Sequence, residues 1–337
     1  MKAIGYYHSG PIDRDDALLD LTLPEPQIGP RDLLVEVRAI SVNPVDTKVR
    51  RNATPAPGQA RILGYDAAGV VSAVGSEVTL FGPGDRVWYA GAIGRPGTNA
   101  ELHAVDERIV GHMPGSMDFA QAAALPLTAI TAWELLFDRL QIARDGSGGA
   151  LLVTGAGGGV GSILVQLARQ LTGLTVIGTA SRAETRDWVM SLGAHHVIDH
   201  SQPFAPQLDA IGYPQVQYVA SLTHTDLHYD ALVQALAPQG RLGLIDDPAT
   251  PIDIMKLKGK ALSLHWEMMF TRPLHQTSDM IEQHRLLDAV TKLIDAGRLQ
   301  GTVGEHYGAI NAANLRRAHA RIESGKTKGK IVLEGFG

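Results

Sequence analysis

Apolar and polar residues along this chain follow three rhythms. Up to about residue 122 the apolar runs are short, close to a two-residue period and interrupted by Gly and Pro. Residues 33–42 read as a strand with polar positions on alternate sides, and residues 64–75 as a second strand region bounded by glycine. Residues 82–88 read as a turn feeding a strand, and residues 94–99 as a loop. Many short strands with such turns predict a small, partly open β-barrel. Near Asp118 the rhythm becomes helical. Residues 120–140 are alanine-rich with Pro126 inside them, which predicts two helices or one kinked helix.

The second rhythm alternates apolar runs with helical periodicity. Strands are expected at 150–154, 174–180, 196–199, 216–220, 241–245 and 261–265, with helices at 160–171, 183–192 and 226–236. Six strands with crossover helices predict a doubly wound parallel sheet of the Rossmann type, an α/β architecture. The third rhythm, after about 267, predicts helices at 279–296 and 312–323 and a closing strand at 329–334. That tail is too short to fold alone. We expect it to complete the first domain, so that a nucleotide domain (123–266) is inserted between 1–122 and 267–337.

The first junction of the second rhythm carries the strongest chemistry. An apolar strand at 150–154 runs into Gly155 to Gly161, five glycines in seven residues, and a helix follows with Val160, Leu164, Leu167, Ala168 and Leu171 on one face. Strand, glycine turn and helix in this order form a dinucleotide-phosphate cradle. Glycine lets the backbone approach a pyrophosphate, and the helix N-terminus offers free N–H groups and a positive dipole end. The strict G-x-G-x-x-G spacing is broken, since Ala156 takes its first position ahead of Gly158 and Gly161. Gly155, Ala156, Gly158, Gly159, Val160 and Gly161 are the candidate phosphate contacts. At the end of the next strand an NAD site usually places a carboxylate for the ribose hydroxyls. Residues 178–182 contain none; Ser181 and Arg182 stand there, with Arg186 one helical turn on. Arginine grips a phosphate through a bidentate pair, so NADPH is the expected cofactor, against the competing reading of a solvated arginine at a helix start. Ser221 and Ile245 close later strands at the carboxyl edge of the sheet, where ligands bind in such folds.

Composition narrows the setting. The 337 residues are 45% hydrophobic and 19% charged, with a net charge of −5 and no cysteine. This balance offers no footprint for nucleic acid or an anionic membrane. It excludes disulfides, thiolate catalysis and cysteine-based zinc sites. No apolar run approaches the roughly 20 residues of a membrane span, and the N-terminus lacks a signal-peptide core, so a cytosolic enzyme is expected. Of the 13 histidines, His195 and His196 would point to opposite faces of a strand. His224 and His228 could share a helix face, but a solvated helix end is the commoner reading of such a pair.

Seven short motifs in order resemble the medium-chain dehydrogenase/reductase superfamily over essentially the whole chain. They are Asn43-Pro-Val-Asp46, Gly64-Tyr-Asp-Ala-Ala-Gly69, Gly84-Asp-Arg-Val87, Asn99-Ala-Glu101, the stretch 125–133, Gly155 to Gly161, and Gly329-Lys-Ile-Val332. Within it, the chain resembles the zinc-free quinone oxidoreductase branch. Thr179-Ala-Ser-Arg182, Ala237-Pro-Gln-Gly-Arg241 and His265-Trp-Glu-Met-Met-Phe270 resemble a bacterial subgroup labelled zinc-type alcohol dehydrogenase-like. The resemblance implies a GroES-like catalytic domain, a Rossmann domain, a cleft between them and commonly a homodimer.

It also implies where the chemistry lies. Zinc-using members carry cysteine where this chain has Asn43 and histidine where it has Tyr65, so no metal is expected. The cleft positions carried over are Asn43, Asp46, Tyr65 and Thr131. Asn43 could offer its amide to an acceptor oxygen or to the nicotinamide ribose. Tyr65 could hydrogen-bond substrate or deliver a proton, or be a packed aromatic. Thr131 would touch the nicotinamide, and Asp46 would orient its neighbours or cap a loop. Met268, Met269 and Phe270 would line the substrate side or be plain core, and Lys330 matches a family lysine near the cofactor or is a strand-edge lysine. The implied activity is NADPH-dependent, zinc-independent hydride transfer to a quinone or α,β-unsaturated carbonyl. The alternatives are an alcohol or aldehyde reductase of the same fold and a non-catalytic NADPH-binding protein.

Overall fold

In the computed structural model, which describes residues 1–144, 146 and 148–337, the chain divides into two units. One is Met1–Ile130 with Phe270–Gly337, the other Thr131–Met269.

The first unit is built on β-strands that bury one face or both. A three-stranded sheet, in the order β2-β1-β4, uses β1 (Lys2–Tyr6), β2 (Leu19–Thr22) and β4 (Arg61–Ile62). A seven-stranded sheet holds β3 (Asp32–Val42), β5 (Ala67–Val74), β6 (Arg86–Tyr89), β7 (Leu102–Asp106), β8 (Val110–His112), β15 (Val303–His306) and β16 (Lys330–Glu334). Its order is β15-β16-β3-β5-β6-β8, with β7 also on β3. The closing strand therefore lies in the interior of a sheet whose other strands come mostly from the first 112 residues, opposite Ala39 to Val42 of β3. Helices α1 (Pro44–Asn52), α2 (Phe119–Ala123), α8 (Thr271–His275), α9 (Glu282–Asp295) and α10 (Ala312–Glu323) complete this unit. Pro126 opens α3 (Pro126–Trp133), within which the chain passes to the second unit. Proline is tolerated at this first helical position because its missing N–H has no partner to lose. A π-helical turn, Glu134–Arg139, continues directly from α3.

The second unit is a six-stranded, wholly parallel sheet: β9 (Ala150–Thr154), β10 (Thr175–Thr179), β11 (His196–Ile198), β12 (Val216–Ser221), β13 (Leu236–Leu244) and β14 (Ser263–Trp266). Its order, β11-β10-β9-β12-β13-β14, places the first strand at the point where the winding reverses. All five residues of β9 are buried, as a central strand covered on both faces requires. Helices α4 (Gly159–Leu171), α5 (Ala183–Ser191), α6 (Phe204–Ala210) and α7 (Thr225–Ala235) cross between strands. Leu152, Val219, Leu242 and Leu244 belong to a core cluster that takes Tyr229 and Leu232 from α7.

Two of the differences from the sequence expectation have a clear physical cause. Strand β13 starts at Leu236 rather than 241, because a register shift opposite Val216 and Tyr218 accommodates Gln239 at φ 66°. Helix α1 carries no apolar periodicity; its buried residues are Asp46, Thr47 and Arg50, so the hydrophobic pattern does not reveal it. No helix among the described residues is long and apolar enough to cross a membrane.

Candidate active site

In the first unit, the turn out of β3 gathers buried polar groups. Asn43 N–H donates to Asp46 Oδ2 at 2.8 Å and Gly64 N–H to Asp46 Oδ1 at 3.0 Å, so this carboxylate ties the start of α1 to the loop before β5. Burial lifts the Asp46 carboxyl to about 7. The Asn43 N–H and Lys330 oppose that rise, the Asp66 charge adds to it, and the Gly64 N–H opposes it.

Asp66, fully buried, is the hub of the cluster. Its Oδ2 accepts from Ser41 Oγ at 2.8 Å, Asn43 Nδ2 at 2.7 Å and Lys330 Nζ at 2.9 Å, and its Oδ1 accepts from Leu127 N–H at 2.7 Å. Lys330 also donates to Asn43 Oδ1. Both ends of the Asn43 amide are thus engaged inside the protein. Lys330 is 3% exposed on an interior strand, which removes the solvated strand-edge reading. A buried charge persists only when paired and hydrogen-bonded, and this network satisfies both conditions.

Tyr65 lies beside this hub and is 1% exposed, with its ring edge-on to Phe270 at 5.3 Å. Among the described residues its hydroxyl has no hydrogen-bond partner at normal geometry. Burial and then the Asp46 charge push it up to about 12, with the Arg61 guanidinium nearby opposing them. At neutral pH it is a donor without an internal acceptor. Thr131 is buried in the part of α3 that belongs to the second unit.

In the second unit the chain leaves β9 through Gly155 at φ 66°, a left-handed conformation that glycine adopts without strain. Gly158 N–H closes the turn on Gly155 O at 3.0 Å, and α4 starts at Gly159. A Cβ on Gly161 would sit 2.4 Å from Gly155 O and 2.6 Å from Ala156 Cα. One on Gly157 would sit 2.3 Å from Thr185 Cγ2. Ala156, which breaks the fingerprint, is fully buried, and its Cβ would lie 3.1 Å from a Cβ on Gly178 of β10. It packs the glycine turn against β10 and has no exposed surface for a ligand. Val160 follows Gly159 in the first turn of α4, whose first N–H groups have no intrahelical partner. The cradle therefore fits a dinucleotide pyrophosphate.

Ser181 and Arg182 lie exposed just beyond β10, with Arg182 at the N-cap of α5. The Arg182 guanidinium is 45% exposed and pairs with the more exposed Glu184 at 3.3 Å. Such surface pairs are worth about 0–1 kcal/mol, so the guanidinium is readily surrendered to a phosphate. Arg186 instead donates to Val197 O at 2.6 Å, which holds it against β11. The Ser221 hydroxyl is fully buried and bonded to Thr225 Oγ1 at 2.7 Å, so this side chain faces the interior. Ile245 is half-buried after β13.

Among the buried acids, Asp66, Glu134 and Glu267 were given no role by the sequence pattern. The available signal was a carboxylate inside an otherwise apolar run, which demands a partner elsewhere in the chain. The donor set at positions 43 and 65 does not fit a catalytic zinc. One side chain is an amide engaged at both ends, and the other is a phenol neutral to about 12. Among the described residues, no three His, Cys, Asp or Glu side chains converge as metal ligands.

Residues 29–128 match the family Alcohol dehydrogenase GroES-like domain, and residues 192–333 match Zinc-binding dehydrogenase. A zinc-type alcohol dehydrogenase-like protein of Staphylococcus aureus is 39% identical over 99% of both chains. The crystal structure of a Rhizobium etli CFN 42 protein, described as a candidate zinc-dependent alcohol dehydrogenase, is 58% identical, with a TM-score of 0.97 over 100% of this chain and 98% of that one. Escherichia coli quinone oxidoreductase, solved in complex with NADPH, is 25% identical, with a TM-score of 0.84 over 99% and 100% of the two chains. With a GroES-like unit, a parallel Rossmann sheet and relatives matched end to end, the chain belongs to the medium-chain dehydrogenase/reductase superfamily of oxidoreductases.

Proposed function

We propose that this protein is an NADPH-dependent, zinc-independent reductase whose acceptor is a quinone or an α,β-unsaturated carbonyl. The observation that carries the reading is Arg182, half exposed beyond β10 where an NAD site would hold a carboxylate. The E. coli neighbour with NADPH bound supports the choice of nucleotide.

Bound NADPH supplies the hydride; the chain supplies binding, orientation and a proton. The glycine turn and the first N–H groups of α4 would hold the pyrophosphate, and Ser181 and Arg182 the 2′-phosphate. An electrophilic double bond or quinone carbonyl needs less Lewis-acid help than a simple ketone, which suits a site whose donors do not fit zinc. Tyr65 keeps its proton to about pH 12 and has no internal acceptor, so it is the group we assign to donate toward the acceptor oxygen. Asp46 and the Asp66–Lys330 pair hold the backbone beside it.

The test is steady-state reduction of 1,4-quinones and enones with NADPH and NADH, with and without chelator. Chelator-insensitive turnover favouring NADPH is expected; zinc-dependent turnover or NADH preference would overturn the reading. A second reading, alcohol or aldehyde reductase, draws on the zinc-binding dehydrogenase match and predicts aldehyde turnover above quinone and enone turnover.

A further inference from the structure

The chain enters the second unit at Thr131 and leaves it after Met269. Close to each of these points it buries a glutamate. Glu134, three residues in, starts the π-helical turn, and Glu267, two residues before the end, directly follows β14. Neither side chain has any exposed surface. The Glu267 N–H donates to Leu244 O at 2.9 Å, which fixes the backbone of the outgoing segment to β13. Arg139 approaches both acids. Arg139 Nε donates to Glu267 Oε2 at 2.8 Å, and its Nη2 lies 3.8 Å from Glu134 Oε2. Among the described residues no N–H or O–H reaches Glu267 Oε1, while the Glu134 carboxyl lies within hydrogen-bonding reach of Glu267.

Two buried carboxyls beside the same guanidinium repel one another. A proton held between them relieves that repulsion and supplies a donor to Glu267 Oε1. We propose that Glu134 and Glu267 share one proton in a clamp, oriented by Arg139, that locks the incoming helix to the outgoing segment and so positions Thr131 and Met268. The direction of titration agrees. Burial, then the charge and hydrogen bond of Glu134, push Glu267 up to about 9, against the pull of Arg139. A π-helical turn, uncommon in proteins and frequent at functional sites, turns Glu134 inward one helical turn after Thr131.

Four other charged or titratable groups among the described residues stand near the pair. His265 of β14 bonds Ser263 Oγ and is held below its ordinary value by burial, Arg241 and Arg139. Arg241 of β13 is occupied by Leu140 O at 2.7 Å and Gln141 Oε1 at 2.9 Å. Asp138 lies on the π-helical turn itself, and Arg144 stacks on Trp133 and Phe137. Glu134 and Glu267 are therefore positioning residues. The role of Thr131 at the nicotinamide and of Met268 on the substrate side rests on the reductase reading; the clamp itself does not.

The experiment uses Trp133 and Trp266, which directly precede the two acids in the chain. The intact apo-protein, labelled with 5-fluorotryptophan, is followed by 19F NMR from pH 6 to pH 10, with W133F and W266F assigning the signals. Both signals are expected to move together with one midpoint near 9, as the shared proton is lost. In E267Q the step should vanish, because the glutamine amide donates to Glu134 at every pH. Separate midpoints, no step, or an unchanged step in E267Q would overturn the clamp. NADPH affinity, measured in parallel by nucleotide fluorescence, should fall about tenfold in E267A and be retained in E267Q. Failure of the wild type to bind NADPH would sink the reductase reading and leave the NMR result standing. Unchanged affinity in E267A, alongside a normal wild-type step, would overturn the positioning role.

Discussion

Replacing Lys330 with methionine keeps most of the side-chain volume but removes the ammonium from a fully buried carboxylate. Asp66 would retain Ser41, Asn43 and the Leu127 N–H as donors, while Asn43 Oδ1 would lose its partner. Breaking a buried ion pair by deleting one partner costs about 3–5 kcal/mol, and the three remaining donors place K330M near the lower end. At about 2–4 °C per kcal/mol for a unit of this size, Tm should fall by roughly 6–12 °C. Urea unfolding at pH 7, read as a change in midpoint at constant m, measures the loss directly. D66N should recover part of it in the double variant, with a coupling above about 2 kcal/mol. A loss below about 1 kcal/mol for K330M would refute this, because the Lys330–Asp66 pair would then contribute little to the buried network.

Gly161→Ala places a Cβ 2.4 Å from backbone that cannot yield without opening the turn, so NADPH affinity should drop at least tenfold. Gly259→Ala, where a Cβ meets nothing within 4 Å, should bind NADPH as the wild type does in the same fluorescence titration. Tyr65→Phe deletes a hydroxyl without a partner and should shift stability by less than about 0.5 kcal/mol. Its kcat should fall about a hundredfold if the phenol donates a proton, and an unchanged kcat would end that assignment. The Asp46 carboxyl is raised in the fold, so its contribution to stability is full below the ordinary carboxylate range. That contribution is lost as pH rises through about 7. Urea unfolding of the wild type against D46N should show the difference changing across that window and staying flat above it.

The parallel sheet of the second unit was legible because strands buried on both faces read as continuous apolar runs, and β9 is such a run. The glycine turn was legible because its neighbours, strand before and helix after, are themselves patterned. Helix α1 was not, since it packs through Asp46, Thr47 and Arg50 rather than an apolar stripe. The Asp66 hub was hidden for a different reason. Lys330 meets Asp66 from 264 positions away and Asn43 from 287, and local pattern carries no information about such pairings. Lys330 stood out by its motif alone, and its buried partner did not. Ser221 shows the converse: its place at the carboxyl end of β12 suggested a ligand, yet its hydroxyl turns inward to Thr225. Glu267 lies within the family-like stretch 265–270, but only the fold reveals Glu134 and Arg139 beside it.

The central claim is that a guanidinium beyond β10 receives the additional phosphate of NADPH in a protein that needs no zinc. Its most direct test is a pair of titrations of chelator-treated protein with NADPH and NADH, each repeated on R182A. The account predicts wild-type affinity at least tenfold higher for NADPH, about 1.4 kcal/mol, with the preference largely lost in R182A. Equal or tighter binding of NADH, or a preference for NADPH that survives in R182A, would contradict it.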